Sequence, residues 1–242
     1  MHLKLKSLAL ATGVVLLIGM QPAVFATPAT AGESELSSLI AKKAAILESL
    51  HKKAKKALVN SAQDKVFPNY FHAAHGHRHE AKAKIEQVTL AVQSNFHVEE
   101  MCLIDPSGPE ITRIVGSVIA PDEELSPDES GAIFFAPGFA KAPRRVHLSP
   151  PYMSPDAHKW VLAYTTPVVV DDEKKAILHY EHGLDVFQNA LKGGAYILAV
   201  SEDGYVISDS RKSLNIILNN DNSEELAGYF QTLEQSEGAG LS

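Results

Sequence analysis

The hydrophobic pattern of this chain changes period once, near His97, and the order of the two patterns limits the folds open to it. Upstream, Leu36, Leu39, Ile40, Ile46, Leu47 and Leu50 recur at helical spacing, which predicts one long amphipathic helix over about residues 34–66, with Pro68 breaking the pattern. A second helix is predicted over about residues 80–94. Downstream, short apolar runs alternate with turn residues. Residues 98–104 and 110–115 flank Asp105-Pro106-Ser107-Gly108-Pro109, the composition of a β-hairpin. An acidic, proline-containing loop is expected at 121–130, then a short helix or turn at Ile133-Phe134-Phe135. Strands are expected at 145–149, 160–169 and 176–184, a helix around 185–191, a hairpin of 195–200 with 205–208, and a last amphipathic helix over about 223–233. Helices followed by strands in hairpin order indicate an α+β fold with an antiparallel sheet, not a parallel doubly wound one.

The first residues carry a different signal. Lys4 and Lys6 precede an apolar run, residues 8–20, that is shorter than the roughly 20 residues a membrane-spanning helix needs. Positive charge, a short apolar stretch and small residues after it are the parts of a secretory signal peptide. Val24-Phe25-Ala26 and Ala29-Thr30-Ala31 both qualify as cleavage sites, releasing Thr27 or Gly32. The alternative use of the run is as an uncleaved anchor. The expected plan is therefore a signal peptide over residues 1–31 and one domain over 32–242, soluble in the periplasm after cleavage. Loss of the two lysines takes the formal charge from −7 to −9, an acidic balance that argues against nucleic acid and anionic lipid as partners. The single cysteine, Cys102, excludes an intrachain disulfide and is expected to act as a small buried hydrophobe in Met101-Cys102-Leu103-Ile104.

Several segments, in order, resemble the extracytoplasmic Cache sensor domains. Met101 through Gly108 resembles their first hairpin, Val146-His147-Leu148-Ser149-Pro150-Pro151-Tyr152-Met153-Ser154 their strand ending in a Tyr-containing turn, and Thr165-Thr166-Pro167-Val168 their Thr/Ser-x-Pro-hydrophobic step. Gly183-Leu184-Asp185 resembles their Gly-x-Asp, and residues 197–208 their closing hairpin. The resemblance covers most of residues 35–211 and implies a PAS-like fold in which a long N-terminal helix packs on a central antiparallel sheet. It also implies a cleft for a small organic acid, amine or amino acid, no cofactor, and signal transduction. Because no second apolar span follows residue 20, output is expected through a separate membrane receptor, kinase or cyclase, and the long helix is expected to pair with its copy in a homodimer. The amino-acid-binding subset places an Arg two residues before an aromatic pair, then Tyr-x-Asp, then the Asp of Gly-x-Asp. Here Tyr152 and Asp185 match, Ser154 replaces the first Asp, and Phe134-Phe135 lack the Arg.

Strand alternation over 177–185 puts His179, Glu181, Gly183 and Asp185 on one face and Tyr180, His182 and Leu184 on the other. Two carboxylates and a histidine facing inward are either a ligand site or an internal salt-bridge network. The expected ligand set is Phe134, Arg145, Tyr152, Tyr164, His179, Glu181 and Asp185, with Trp160 in the core or at the rim. Arg144 and Arg145 suit an anionic ligand through bidentate contact. An enzyme is not expected, because no nucleophile or oxyanion donor stands beside the acid pair. The alternative function is metal binding by His72, His75, His77 and His79, four imidazoles within eight residues, a donor type that suits zinc, copper and nickel.

Overall fold

The structure is a computed structural model that describes residues 15–17, 29–93, 97–200 and 206–210. The helix predicted over about 223–233 and most of the leader lie outside these residues. In chain order the elements are β1 (Val15–Leu17), α1 (Ala29–Ser61), α2 (Val66–His72), α3 (Arg78–Gln93), β2 (Glu100–Ile104), β3 (Glu110–Val115), β4 (Val118–Ile119), α4 (Phe135–Ala140), β5 (His147–Leu148), β6 (Tyr152–Ser154), β7 (Lys159–Val170), β8 (Glu173–Gly183), α5 (Leu184–Leu191), β9 (Leu198–Val200) and β10 (Val206–Asp209). The seven-stranded sheet runs β4-β3-β2-β8-β7-β5 with β6 attached to β7, and a smaller sheet runs β1-β9-β10. This is the α+β plan with an antiparallel central sheet.

The long helix ends earlier than its pattern suggests. α1 stops at Ser61, and the Asp64 carboxylate accepts the Val66 N–H at 3.0 Å where α2 begins. Pro68 therefore sits in the first turn of α2, where its missing N–H has no partner to lose, instead of terminating a helix.

By backbone contacts the chain divides into two compact units: residues 52–157 with 161–183, and the described residues up to 51 with 158–160 and those from 184 onward. In the first unit, register sorts the sheet residues into two faces. Leu103 pairs with Leu178 and Met101 with Tyr180, which in turn pairs with Tyr164. This face meets the helices: Thr112 Oγ1 donates to Glu86 at 3.0 Å, and Leu58, Phe67 and Ile85 are fully buried. The opposite face carries Cys102, Ile104, Ala163 and Ile177, which form an apolar cluster with Phe134 and Phe135 at the start of α4. β7 and β8 are joined by a two-residue turn, Asp171 and Asp172, with φ of 52° and 63° and no glycine.

In the second unit His51 of α1 stacks on Phe187 of α5 with ring centroids 4.8 Å apart. The Lys43 ammonium donates to the Ala190 carbonyl at 3.1 Å and to that of Lys192. A cation thereby meets carbonyls that a helix C-terminus leaves without partners.

Candidate functional site

The face covered by Phe134 is apolar at one end and polar at the other. In the register of β2 with β8, Cys102 stands opposite His179 and Glu100 opposite Glu181, while β7 sets Thr165 beside His179 and Ala163 beside Glu181. Directly opposed residues share a face, so Glu100, Cys102, His179 and Glu181 converge on one patch of the sheet. None is more than 4% exposed, which places two carboxylates, a thiol and an imidazole out of water together.

Their partners are few and specific. The Cys102 thiol lies 2.9 Å from Glu100 Oε1 and 3.1 Å from Glu110 Oε1. Glu110 Oε2 accepts the Ser126 N–H at 2.7 Å and faces Arg113 Nη1 at 3.3 Å, and Arg113 also holds Asp156 at 3.2 Å. The Ser154 hydroxyl is 3.4 Å from Glu100 Oε2 and accepts the Ala157 N–H at 3.0 Å. The Tyr152 hydroxyl donates to Glu181 Oε1 and stands 3.1 Å from His179 Nε2, itself 3.7 Å from that carboxylate oxygen. Phe134 stacks on the His179 ring with centroids 4.0 Å apart and planes 20° apart. Glu181 Oε2, His179 Nδ1 and Thr165 Oγ1 are buried and make no hydrogen bond among the described residues.

Burial governs the protonation of this patch. Loss of water pushes Glu181 up to about 7 and raises Glu100 well above the usual carboxylate range, the Glu181 charge adding to the latter. Glu110 is raised by burial, and so is the Cys102 thiol. His179 is lowered to about 3 by the same cause and is neutral. Removing water disfavours whichever form is charged, so the cluster holds protons in place of unopposed negative charge.

Of the residues expected to bind ligand, Phe134, Tyr152, His179 and Glu181 come together here. Tyr164 does not: it pairs with Tyr180 on the opposite face and meets the His182 ring edge-on at 5.0 Å. Arg145 is exposed, and its carbonyl accepts the Thr166 hydroxyl at 2.9 Å. Asp185 lies in the first turn of α5, beyond the end of β8 and in the other unit, so strand alternation does not reach it. Trp160 is buried. His72 pairs with Asp171 at 2.7 Å, while His75, His77 and His79 are exposed, and among the described residues they do not converge with other donors on one point. Glu100, Cys102, Glu110, Arg113 and Asp156 escaped the sequence reading. The available signal was parity: Glu100 and Cys102 are two apart in a predicted strand. Two open cavities of about 490 and 550 Å³ lie elsewhere, the first lined by Val59, Arg144 and Thr166, the second by Tyr70, Lys82 and Asp122; of the cluster only Glu110 borders either.

No protein-family model matches the chain, and no curated protein does. Solved structures do. The sensory domain of the Campylobacter jejuni chemoreceptor Tlp3 with isoleucine bound is similar at a TM-score of 0.58 and 11% identity, covering 83% of this chain and 83% of its own. A domain of a sensory box/GGDEF family protein from Vibrio parahaemolyticus gives 0.61 and 15%, covering 82% and 77%. The ligand-binding domain of the Pseudomonas fluorescens chemoreceptor CtaA in complex with L-alanine gives 0.56 and 16%, covering 75% and 73%. The chain has the fold of these sensory domains, which is the Cache-like fold expected from its motifs.

Proposed function

We propose that this chain is an exported sensor module that binds a small, positively charged ligand on the Phe134-covered face of its sheet and signals through a separate membrane partner. One observation carries the reading: three buried carboxylates lie in one patch beneath two aromatic side chains, Glu100 and Glu110 on the Cys102 thiol and Glu181 beside a neutral His179, with Arg113 their one close cation among the described residues. Binding sites combine apolar walls with a few placed polar groups, and Phe134 and Tyr152 supply the walls. Two features support the wider role: the fold shared with sensory domains, two of them solved with isoleucine and L-alanine bound, and the signal-peptide pattern over residues 1–31, which suits export to the periplasm. An ammonium-bearing amine or amino acid fits the acidic patch better than an organic acid does, because Arg145 is exposed and its backbone is held by Thr166, whose side chain lies on the face of β7 opposite Thr165.

A thermal-shift and calorimetric screen of the purified protein against amino acids, amines and organic acids tests this. A ligand at about 100 times its dissociation constant stabilises the native state by about 2.7 kcal/mol. The stabilisation should weaken at least about tenfold in affinity in Glu181→Gln, where a charged contact is lost, and persist in Arg145→Ala. Equal binding by wild type and Glu181→Gln would remove the site from this face.

A further inference from the structure

Among the described residues, one set of metal-type donors meets at a point, and it is not the histidine-rich segment. A carboxylate oxygen of Glu100, the Cys102 sulfur and a ring nitrogen of His179 all lie within 4.8 Å of one another, all buried. We propose that these three residues bind one thiophilic divalent transition-metal ion of the zinc class, with Glu181 as the fourth donor. The inference rests on the reading above for the location of the site and narrows the ligand to a metal ion.

Geometry is the first argument. Cys102 and His179 are directly opposed on paired central strands, so their separation is fixed by the sheet and not by mobile loops. Bonds of about 2.0–2.3 Å in a tetrahedral array set donors roughly 3.5 Å apart. Cys102 and Glu100 are already at 2.9 Å, and Glu181 Oε1 is 3.7 Å from His179 Nε2, so side-chain rotation closes the set without moving backbone.

Donor chemistry is the second. A thiolate, an imidazole and carboxylates suit zinc, cobalt, nickel or copper, whereas calcium and magnesium want oxygen alone. On binding, the Cys102 S–H bond breaks, its proton leaves to solvent and a metal–sulfur bond forms, with no change of oxidation state. Thiolate and one carboxylate then balance a divalent ion, and Glu181 as the fourth donor leaves the set with one negative charge in excess.

The third argument is the surrounding shell. Groups around a metal site commonly orient its ligands, and the Tyr152 hydroxyl, which donates to Glu181 Oε1 and stands 3.1 Å from His179 Nε2, holds these two donors toward each other. Phe134 stacks on the face of the ring, which leaves the in-plane lone pair open. Ser154 and Glu110 orient Glu100 and Cys102 in the same way.

Cobalt(II) reports the thiolate directly through a sulfur-to-metal charge-transfer absorption. Wild-type protein titrated with Co²⁺ should develop that band at one ion per chain, and Zn²⁺ should abolish it and raise the thermal transition where Mg²⁺ does not. Cys102→Ser should lose the band and bind Zn²⁺ at least about tenfold more weakly, an effect at the lower end of those seen for ligand-shell changes, while His75→Ala/His77→Ala retains both responses. Absence of the band in wild type overturns the inference without recourse to any variant, as does zinc stabilisation unchanged by Cys102→Ser. If amines or amino acids stabilise wild type and Cys102→Ser alike and Zn²⁺ does nothing, the metal site is wrong and the sensor reading stands. If neither metals nor organic compounds shift the transition, both fall.

Discussion

Tyr164 and Glu181 lie on adjacent strands and face opposite sides of the sheet, which makes them a matched pair for testing where ligand binds. Tyr164→Phe should leave any ligand response unchanged, whereas Tyr152→Phe, which removes the hydroxyl shared by His179 and Glu181, should weaken it several-fold in titration calorimetry. The pH dependence of stability carries a second test. Glu181 has an ordinary value of 4.5 and is pushed up to about 7 in the fold, so the native state holds its proton more tightly than the unfolded chain does. Its contribution is fully present below about pH 4.5, declines as pH rises and is gone above pH 7, a difference on the order of 3 kcal/mol. Glu181→Gln should therefore match wild type in urea midpoint near pH 4 and exceed it near pH 8. At this scale the sequence disclosed parity within β8, which separated His179 and Glu181 from Tyr180 and His182. It did not disclose register between strands. Cys102 reads as a buried hydrophobe from its own neighbours and is buried in the apolar cluster, but its place opposite His179 and beside Glu100 follows only from register.

Elements with several turns or a long alternation are legible because many residues repeat the same signal, as in α1, α3, β7 and β8. β4 and β6, of two and three residues, have no period to detect, and they form because neighbouring strands offer hydrogen bonds. α4 is held close to the sheet by Gly138, where a Cβ would come within 2.5 Å of Thr165 Oγ1 and 3.0 Å of Thr165 Cβ. Thr165 is fixed in β7, so Gly138→Ala should lift α4 at a cost of about 1–3 kcal/mol in urea unfolding. Because Phe134 and Phe135 move with it, Cys102 should react faster with a thiol reagent in that variant than in wild type. The β7–β8 turn offers a gain instead. Asp172 holds φ of 63°, a left-handed conformation that costs an ordinary residue about 1–2 kcal/mol, and Asp172→Gly should raise the unfolding midpoint by relieving it.

For the molecule as a whole, no helix among the described residues is long and apolar enough to cross a membrane. Of the two cleavage sites, the one after Ala26 leaves α1 intact from Ala29, whereas the one after Ala31 removes its first residues; intact mass should show Thr27 as the mature terminus. That cut also removes β1 and bares the edge of β9 that it occupies. The α+β order was legible because helical and strand patterns occupy separate halves of the chain, while the division into two units depends on contacts between distant segments that no local pattern encodes. The buried carboxylates and thiol bear finally on measurement. A cation entering their cluster expels protons into the medium, so the heat recorded on mixing will include the ionisation enthalpy of whatever buffer receives them. Titrations in phosphate and in Tris should thus disagree in apparent enthalpy while agreeing in stoichiometry, and the slope between them counts the protons displaced.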